Sequence, residues 1–173
     1  DTCAMRHNIE LKARLASLVD ARTVAQRLAT ERREDQHQVD TYFFCRSGRL
    51  KLREITGQRN ELIWYERPDQ QQSKASRYLV VPVEDAAGLK QALTSAWGIR
   101  CIVEKYREIY LYHNVRIHLD RVVDLGEFLE FEAVLGPDAD AETGHAQVAF
   151  LRAQFHIADG DLVTGSYADL LEA

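Results

Sequence analysis

The sequence predicts an α+β fold: about eight antiparallel strands closed into a barrel, or tunnel, with helices packed on the outside. Three observations lead there. Strand-like segments follow one another with turn signals between them, and helices are too few for a parallel sheet of strand–helix–strand units. Five of the segments alternate charged with apolar residues, so each has an ionic face and an apolar face. Closure removes the exposed edges that so many consecutive strands would leave.

Met5 to Ala13 reads as the first strand, with Ile9, Leu11 and Ala13 on one face and Asn8, Glu10 and Lys12 on the other. Ser17 or Asp20 can cap a helix over 21–32, whose apolar stripe is Val24, Ala25 and Leu28. Gln38 to Cys45 is aromatic and strand-like. Ser47-Gly48 turns into a basic strand at 49–56, and Gly57 to Asn60 turns again into Glu61–Glu66. Pro68 to Ser73 is a polar loop before a strand over Lys74–Val83, where Pro82 marks an edge or an end. Asp85 caps a second helix with Leu89, Ala92, Leu93 and Ala96 at helical spacing, and Gly98 closes it. Strands over 99–112, 114–121 and 127–135 follow, joined by turns at His113-Asn114 and Asp124-Leu125-Gly126. A helix over 141–156 and a short one over 167–172 end the chain, the latter with Ser166 and Asp169 in capping-box spacing.

A chain of 173 residues, 46% hydrophobic and 28% charged, can bury a core as one domain over 6–171, with 1–5 as an N-terminal extension. The net charge of −5 argues against nucleic acid as a partner. That charge is unevenly spread. Residues 46–77 hold eight lysines and arginines against four acids, whereas 120–173 hold two against twelve. Basic and acidic walls facing each other, or facing a ligand, would account for the division. Cys3, Cys45 and Cys101 have no ligand spacing and read as free thiols of a cytoplasmic protein. No apolar run approaches the roughly 18 residues of a membrane span. The sequence leaves a homodimer open.

Arg49, Lys51 and Arg53 sit at alternate positions and share one face, where they repel unless an anion or facing acids neutralise them. The same pattern gives Asn8, Glu10 and Lys12; Lys105 and Arg107; Arg116, His118 and Asp120; and Glu130 and Glu132. In a closed barrel the apolar faces can lie outside under the helices and the ionic faces inside. Carboxylates hold a hard divalent cation and cations hold phosphate oxygens, so a metal with a phosphate would neutralise both walls. Trp64, Trp97 and Phe155 read as core, and His37, His145 and His156 match no zinc spacing.

Asn8-Ile-Glu-Leu-Lys12 resembles the opening Glu-x-Glu-x-Lys motif of the CYTH, or triphosphate tunnel metalloenzyme, superfamily. Val103 to Tyr110, Val115 to Asp120 and Leu125 to Glu132 resemble its later strands in order and spacing. With the ending Ser166 to Leu171, they look most like its bacterial class IV adenylyl cyclase branch. The resemblance implies an eight-stranded antiparallel tunnel that binds a triphosphate-containing small molecule with Mg²⁺ or Mn²⁺. It implies that Glu10, Asp120, Glu130 and Glu132 are metal ligands or their supports. Lys12, Arg49, Lys51, Arg53, Lys105, Arg107 and Arg116 would contact phosphates, with Lys12, Lys105 and Arg107 at the catalytic centre; His118 would be a wall residue or a phosphate donor.

Two positions depart from the pattern. Asn8 stands where the family has Glu, and Glu66 where it commonly has a phosphate-binding Lys. Arg67 would face the opposite way on a regular strand, and Arg77 could compensate. The implied activity is that of an adenylyl cyclase, which converts ATP to cyclic AMP and pyrophosphate. The alternatives are a triphosphatase acting on thiamine triphosphate, inorganic triphosphate or a nucleoside triphosphate, and a non-catalytic triphosphate or polyphosphate binder.

Overall fold

The computed structural model describes residues 3–173; residues 1 and 2 of the N-terminal extension lie outside the described residues. The strands are β1 (Arg6–Arg14), β2 (Glu31–Arg32), β3 (Gln36–Phe43), β4 (Arg49–Ile55), β5 (Asn60–Glu66), β6 (Lys74–Val83), β7 (Ile99–Tyr112), β8 (Val115–Val122) and β9 (Gly126–Val134). Four α-helices accompany them: α1 (Leu18–Leu28), α2 (Ala86–Trp97), α3 (Ala141–Gln154) and α4 (Tyr167–Glu172). The sheet runs β7-β3-β4-β5-β6-β1-β9-β8 and returns to β7, every pair antiparallel, so the predicted eight-stranded barrel is closed.

The short β2 is not in the expected pattern, and it explains why α1 stops early. β7 is longer than its neighbour β3, whose pairing begins at Gln36 opposite Arg107. The segment after α1 takes up the edge left beyond that point, pairing Glu31 with Leu111 and Arg32 with Tyr110. Thr30 N–H and Oγ1 both donate to Leu111 O. α1 begins three residues earlier than the stripe suggests because Ser17, rather than Asp20, is its cap: Ser17 Oγ accepts from Asp20 N–H.

The apolar faces are outside the barrel and under the helices. Ile9 and Leu11 of β1, Ile117 and Leu119 of β8 and Leu129 and Phe131 of β9 pack with Val148, Leu151 and Phe155 from α3 and its end, and with Ala21 and Ala25 of α1. Burying one such aliphatic side chain contributes about 1.5–3 kcal/mol. α3 approaches β1 closely because Gly144 has no Cβ; one there would stand 2.8 Å from Ile9 Cγ1 and 2.9 Å from Leu135 Cδ2. α2 covers β3 and β4 through Ala86, Leu89 and Leu93 over Phe43 and Leu52.

Of the aromatic residues expected in the core, only Phe155 is buried there. Trp97, the last residue of α2, is 55% exposed because the helix runs past the patch its other apolar residues cover. Trp64 is half-buried on the outer face of β5, where its Nε1–H donates to Ser47 O at 2.9 Å. Cys3, Cys45 and Cys101 are unpaired. Among the described residues no helix is long and apolar enough to cross a membrane.

α4 closes one end of the barrel. The inward positions of the strands turn apolar there: Tyr42, Val103, Val122 and Phe128 pack against Val163, Tyr167 and Ala168. The segment before α4 is tied down by Val163 N–H donating to Lys12 O, Lys74 Nζ donating to Thr164 O and Arg67 Nη2 donating to Gly165 O. Ser166 and Asp169 form the predicted capping box. The barrel is therefore a cup with a floor.

Candidate active site

The inward faces of the strands enclose a cavity of about 350 Å³. It holds Asn8, Glu10 and Lys12 from β1, Lys51 and Arg53 from β4, Lys105 and Arg107 from β7, Arg116 and His118 from β8, and Glu130 and Glu132 from β9. Arg53 and Glu130 thus share one lumen, as an inward-facing ionic surface requires. Alternation does the positioning: each set occupies every second residue of its strand, and on β1, β4, β8 and β9 the residues between are anchored beneath helices.

The cations and acids are matched one to another. Asp40, wholly buried, accepts from Arg53 Nε and Nη2, both at 2.8 Å, and from Lys105 Nζ at 2.9 Å; Lys51 Nζ stands 3.1 Å away. Burial alone would raise the Asp40 carboxyl, yet Arg53, Lys105 and Lys51 hold it well below the usual carboxylate range. Asp120 accepts from Arg107 Nε and Nη2, both at 2.7 Å, and from Tyr167 O–H at 2.7 Å. Its oxygens are therefore committed to holding Arg107 and the floor in place. Glu10 accepts from Arg67 Nη1 at 2.8 Å and Ser76 Oγ at 2.7 Å.

Glu130 and Glu132 are less committed. Glu130 lies 3.5 Å from Lys12 Nζ and 3.7 Å from His118 Nδ1, and Glu132 lies 2.9 Å from Arg116 Nη2. Burial and the neighbouring Glu130 push the Glu132 carboxyl up to about 7, with Arg116 opposing; Glu130 itself stays well below its ordinary value despite burial, held by Lys12 and His118. Repulsion between two close carboxylates thus favours protonation of Glu132 over Glu130. Burial, then Arg67, brings Lys12 down to about 7, against the pull of Glu130 and Glu10. Burial and Arg107 bring His118 down to about 3, so its ring is neutral at pH 7.

His118, Glu130 and Glu132 can each offer one ligand atom, all within 4.8 Å of one another. His118 Nδ1 is buried and has no hydrogen-bond partner. A buried imidazole nitrogen without a partner, beside two carboxylates, fits a divalent cation. Of the carboxylates the resemblance assigned to a metal, Glu130 and Glu132 fall in this group. Glu10 is paired in register with Glu132 but engaged by Arg67, and Asp120 is engaged by Arg107.

Arg49 and Arg77 lie apart from the lumen. Arg49 is held at the floor end by Asp69 at 3.0 Å and Asp169 at 2.8 Å. Arg77 pairs with Glu66 on the outer face. The expected parity of β5 is off by one residue: Glu61, Ile63 and Tyr65 face inward and Arg67 continues the series, so Glu66 is outside. The stretch Leu62-Ile63-Trp64-Tyr65 is apolar on both faces, and alternation could not mark the inner one. Arg67 thus supplies a cation where Glu66 appeared to remove one. Asn8 Oδ1 accepts from Tyr78 O–H at 3.2 Å.

Asp40, Lys74 and Gln38 also bear on the site and are not marked by the charged pattern. Lys74 is buried, with Nζ donating to Gln70 O and Thr164 O. The available signal for Asp40 is a single acid in the apolar run Val39 to Phe43, two residues from Gln38 and Tyr42.

The family model for the CYTH domain matches residues 6–167. No curated protein matches the sequence. Among solved structures, PH1012 from Pyrococcus horikoshii superposes with a TM-score of 0.83 at 24% identity, over 94% of this chain and 98% of that one. A "putative adenylate cyclase" from Vibrio parahaemolyticus gives 0.78 at 19% identity, over 96% and 98%. HpAC1 from Hippeastrum, a protein described by its dominant triphosphatase activity, gives 0.64 at 12% identity, over 92% and 91%. These likenesses are of fold. CYTH proteins are metal-dependent enzymes acting on triphosphates, and a cup walled by paired cations and acids suits that chemistry. With nearly its whole length matched by the family model, the chain belongs to the CYTH domain family.

Proposed function

We propose that this chain is a metal-dependent nucleotidyl cyclase, taking ATP or a similar nucleoside triphosphate into the cup and releasing cyclic nucleotide and pyrophosphate. One observation carries the choice: besides its cations Lys12, Lys51, Lys105 and Arg67, the cavity is lined by Ile55, Val80, Ile109 and the glutamines Gln36 and Gln38, with Arg6, Arg59 and Glu61 also in its wall. An inorganic triphosphate needs only the ionic residues. An apolar wall with amides suits a ring.

The terminal phosphate then sits against the closed floor, where α4 excludes bulk water, and the α-phosphorus lies nearer the opening. The ribose 3′-hydroxyl oxygen bonds to that phosphorus and gives up its proton to water, as the bond between the phosphorus and the pyrophosphate oxygen breaks. Lys12, Lys105 and Arg107 hold the phosphate oxygens and offset the charge that develops. His118, Glu130 and Glu132 would hold Mg²⁺ or Mn²⁺, the imidazole favouring Mn²⁺, and the ion supplies further charge neutralisation at the phosphates.

With ATP and Mn²⁺ the expected products are cyclic AMP and pyrophosphate in equal amounts. Hydrolysis is the second reading, supported by the triphosphatase activity of the Hippeastrum neighbour. Phosphate without a cyclic product would establish it in place of cyclisation. Tripolyphosphate binding with no turnover under any divalent metal would leave only a binder.

Lys12 gives a further expected result. Its folded-state value of about 7 lies below the ordinary 10.5. Between those values the unfolded chain holds the proton and the folded one does not, so this residue makes stability rise with pH across that window. A bound triphosphate favours the charged ammonium and draws the proton back. At pH 8, tripolyphosphate binding by wild type will take up more protons than binding by Lys12→Met, as read by calorimetry in buffers of different ionisation enthalpy.

A further inference from the structure

Gln38 is 1% exposed, lines the cavity, and its Oε1 has no hydrogen-bond partner. Leaving such an acceptor unpaired costs about 1–3 kcal/mol. Its amide orientation is coupled to that of two neighbouring amides. Gln38 Nε2 donates to Gln36 Oε1, and Gln36 Nε2 donates at 2.9 Å to Gln58 Oε1 in the turn at the rim. The three amides form a relay in which each fixes the next. The reverse relay would aim the Gln38 NH₂ at the lumen. Against that stands the field: Lys105, the register partner of Gln38 on β7, and Arg107 and Arg53 face the same space and, with Lys51, outnumber the acids Asp40 and Asp120 that they pair with. Cations attract the carbonyl end of an amide dipole and repel its NH₂ end.

The surroundings say what should meet this acceptor. Ile55, the register partner of Gln38 on β4, gives apolar surface beside it, and Ile109 adds more in the same cavity four residues along β7 from Lys105. A flat ring bearing an N–H donor satisfies both features, whereas a phosphate, which only accepts, satisfies neither.

We infer that Gln38 is a specificity residue that accepts a hydrogen bond from an exocyclic amino group on the substrate's ring, with Gln36 and Gln58 as positioning residues that hold its carbonyl towards the lumen. The inference rests on the reading of the cavity as a nucleoside triphosphate site and adds the class of base: amino-bearing, as in adenine. A site that hydrogen-bonds a substrate donor rejects the analogue that lacks it, because its own buried group is then left without a partner.

The test is binding by calorimetry in EDTA, where no turnover occurs, with tripolyphosphate, ATP and purine riboside triphosphate, which is ATP without its amino group. Wild type is expected to bind ATP about tenfold more tightly than the analogue, a single well-made hydrogen bond being of that order. Gln38→Met keeps the volume and should bring the two within about twofold, with tripolyphosphate binding showing that the variant still folds and holds phosphate. Gln36→Leu, at the half-buried rim position, removes the acceptor that fixes the amide and should lower the preference even if the Met variant folds poorly. Equal affinities in wild type, or a preference that survives both variants, would overturn the role of Gln38 and leave the triphosphate site standing. Failure of wild type to bind tripolyphosphate would instead remove the site reading, and this inference with it.

Discussion

Asp40→Asn will lower the melting temperature by roughly 6–20 °C. The carboxylate is buried among Arg53, Lys105 and Lys51, all within 3.1 Å. Removing one member of a buried ion cluster costs about 3–5 kcal/mol, because the charges left behind keep their desolvation without their partner. For a domain of this length each kcal/mol moves the midpoint by about 2–4 °C. The amide keeps the shape, so packing is not the cause. Arg53 and Lys51, freed of their acid, should also bind an anion more tightly, and tripolyphosphate will raise the midpoint of the variant more than that of wild type. Thermal denaturation followed by circular dichroism, with and without tripolyphosphate, measures both. A midpoint within about 2 °C of wild type would mean that water already solvates the cations. Because the folded-state carboxyl lies well below its ordinary value, its stabilising contribution is present above about pH 4 and is lost as pH falls further.

Glu130→Gln will lower kcat/KM for the proposed reaction on the order of 10²–10³-fold, comparable with loss of a group that stabilises developing charge. Glu130 is the centre of the acidic group: His118 and Lys12 face it across β8 and β1, and Glu132 lies two residues along its own strand. The substitution removes one anionic ligand atom and the pull by which Glu130 opposes the lowering of Lys12. Two readouts separate this from general damage. The Mn²⁺ concentration for half-maximal rate will rise, and tripolyphosphate binding in EDTA will tighten, since a negative charge has left the phosphate path. An unchanged metal requirement would place the ion elsewhere.

The barrel was legible because the ionic residues fall on alternate positions in segments whose remaining residues are aliphatic. Asn8-Ile9-Glu10-Leu11-Lys12 and Arg116-Ile117-His118-Leu119-Asp120 each announce an inner and an outer face. Where a strand is apolar on both faces, the signal vanishes. That is why alternation puts β5 one residue out of phase and Arg67 outside. Asp40 was hidden for a related reason: its neighbours on the inner face are Gln38 and Tyr42, so no row of like charges draws attention to it. The capping box of α4 was visible, but its position across the barrel end depends on contacts with Tyr42, Val103 and Phe128, distant in the chain. β2 exists only because β7 outreaches β3, a mismatch of lengths that no local pattern records.

Sealing one end by α4 imposes an order on traffic. With a single doorway, whatever lies deepest is last out. If the nucleotide is cyclised, the cyclic product sits between the pyrophosphate and the exit, and must depart first. Pyrophosphate would then be the species that rebinds the empty vessel and competes with incoming ATP, while the cyclic nucleotide would act as a weaker, noncompetitive brake.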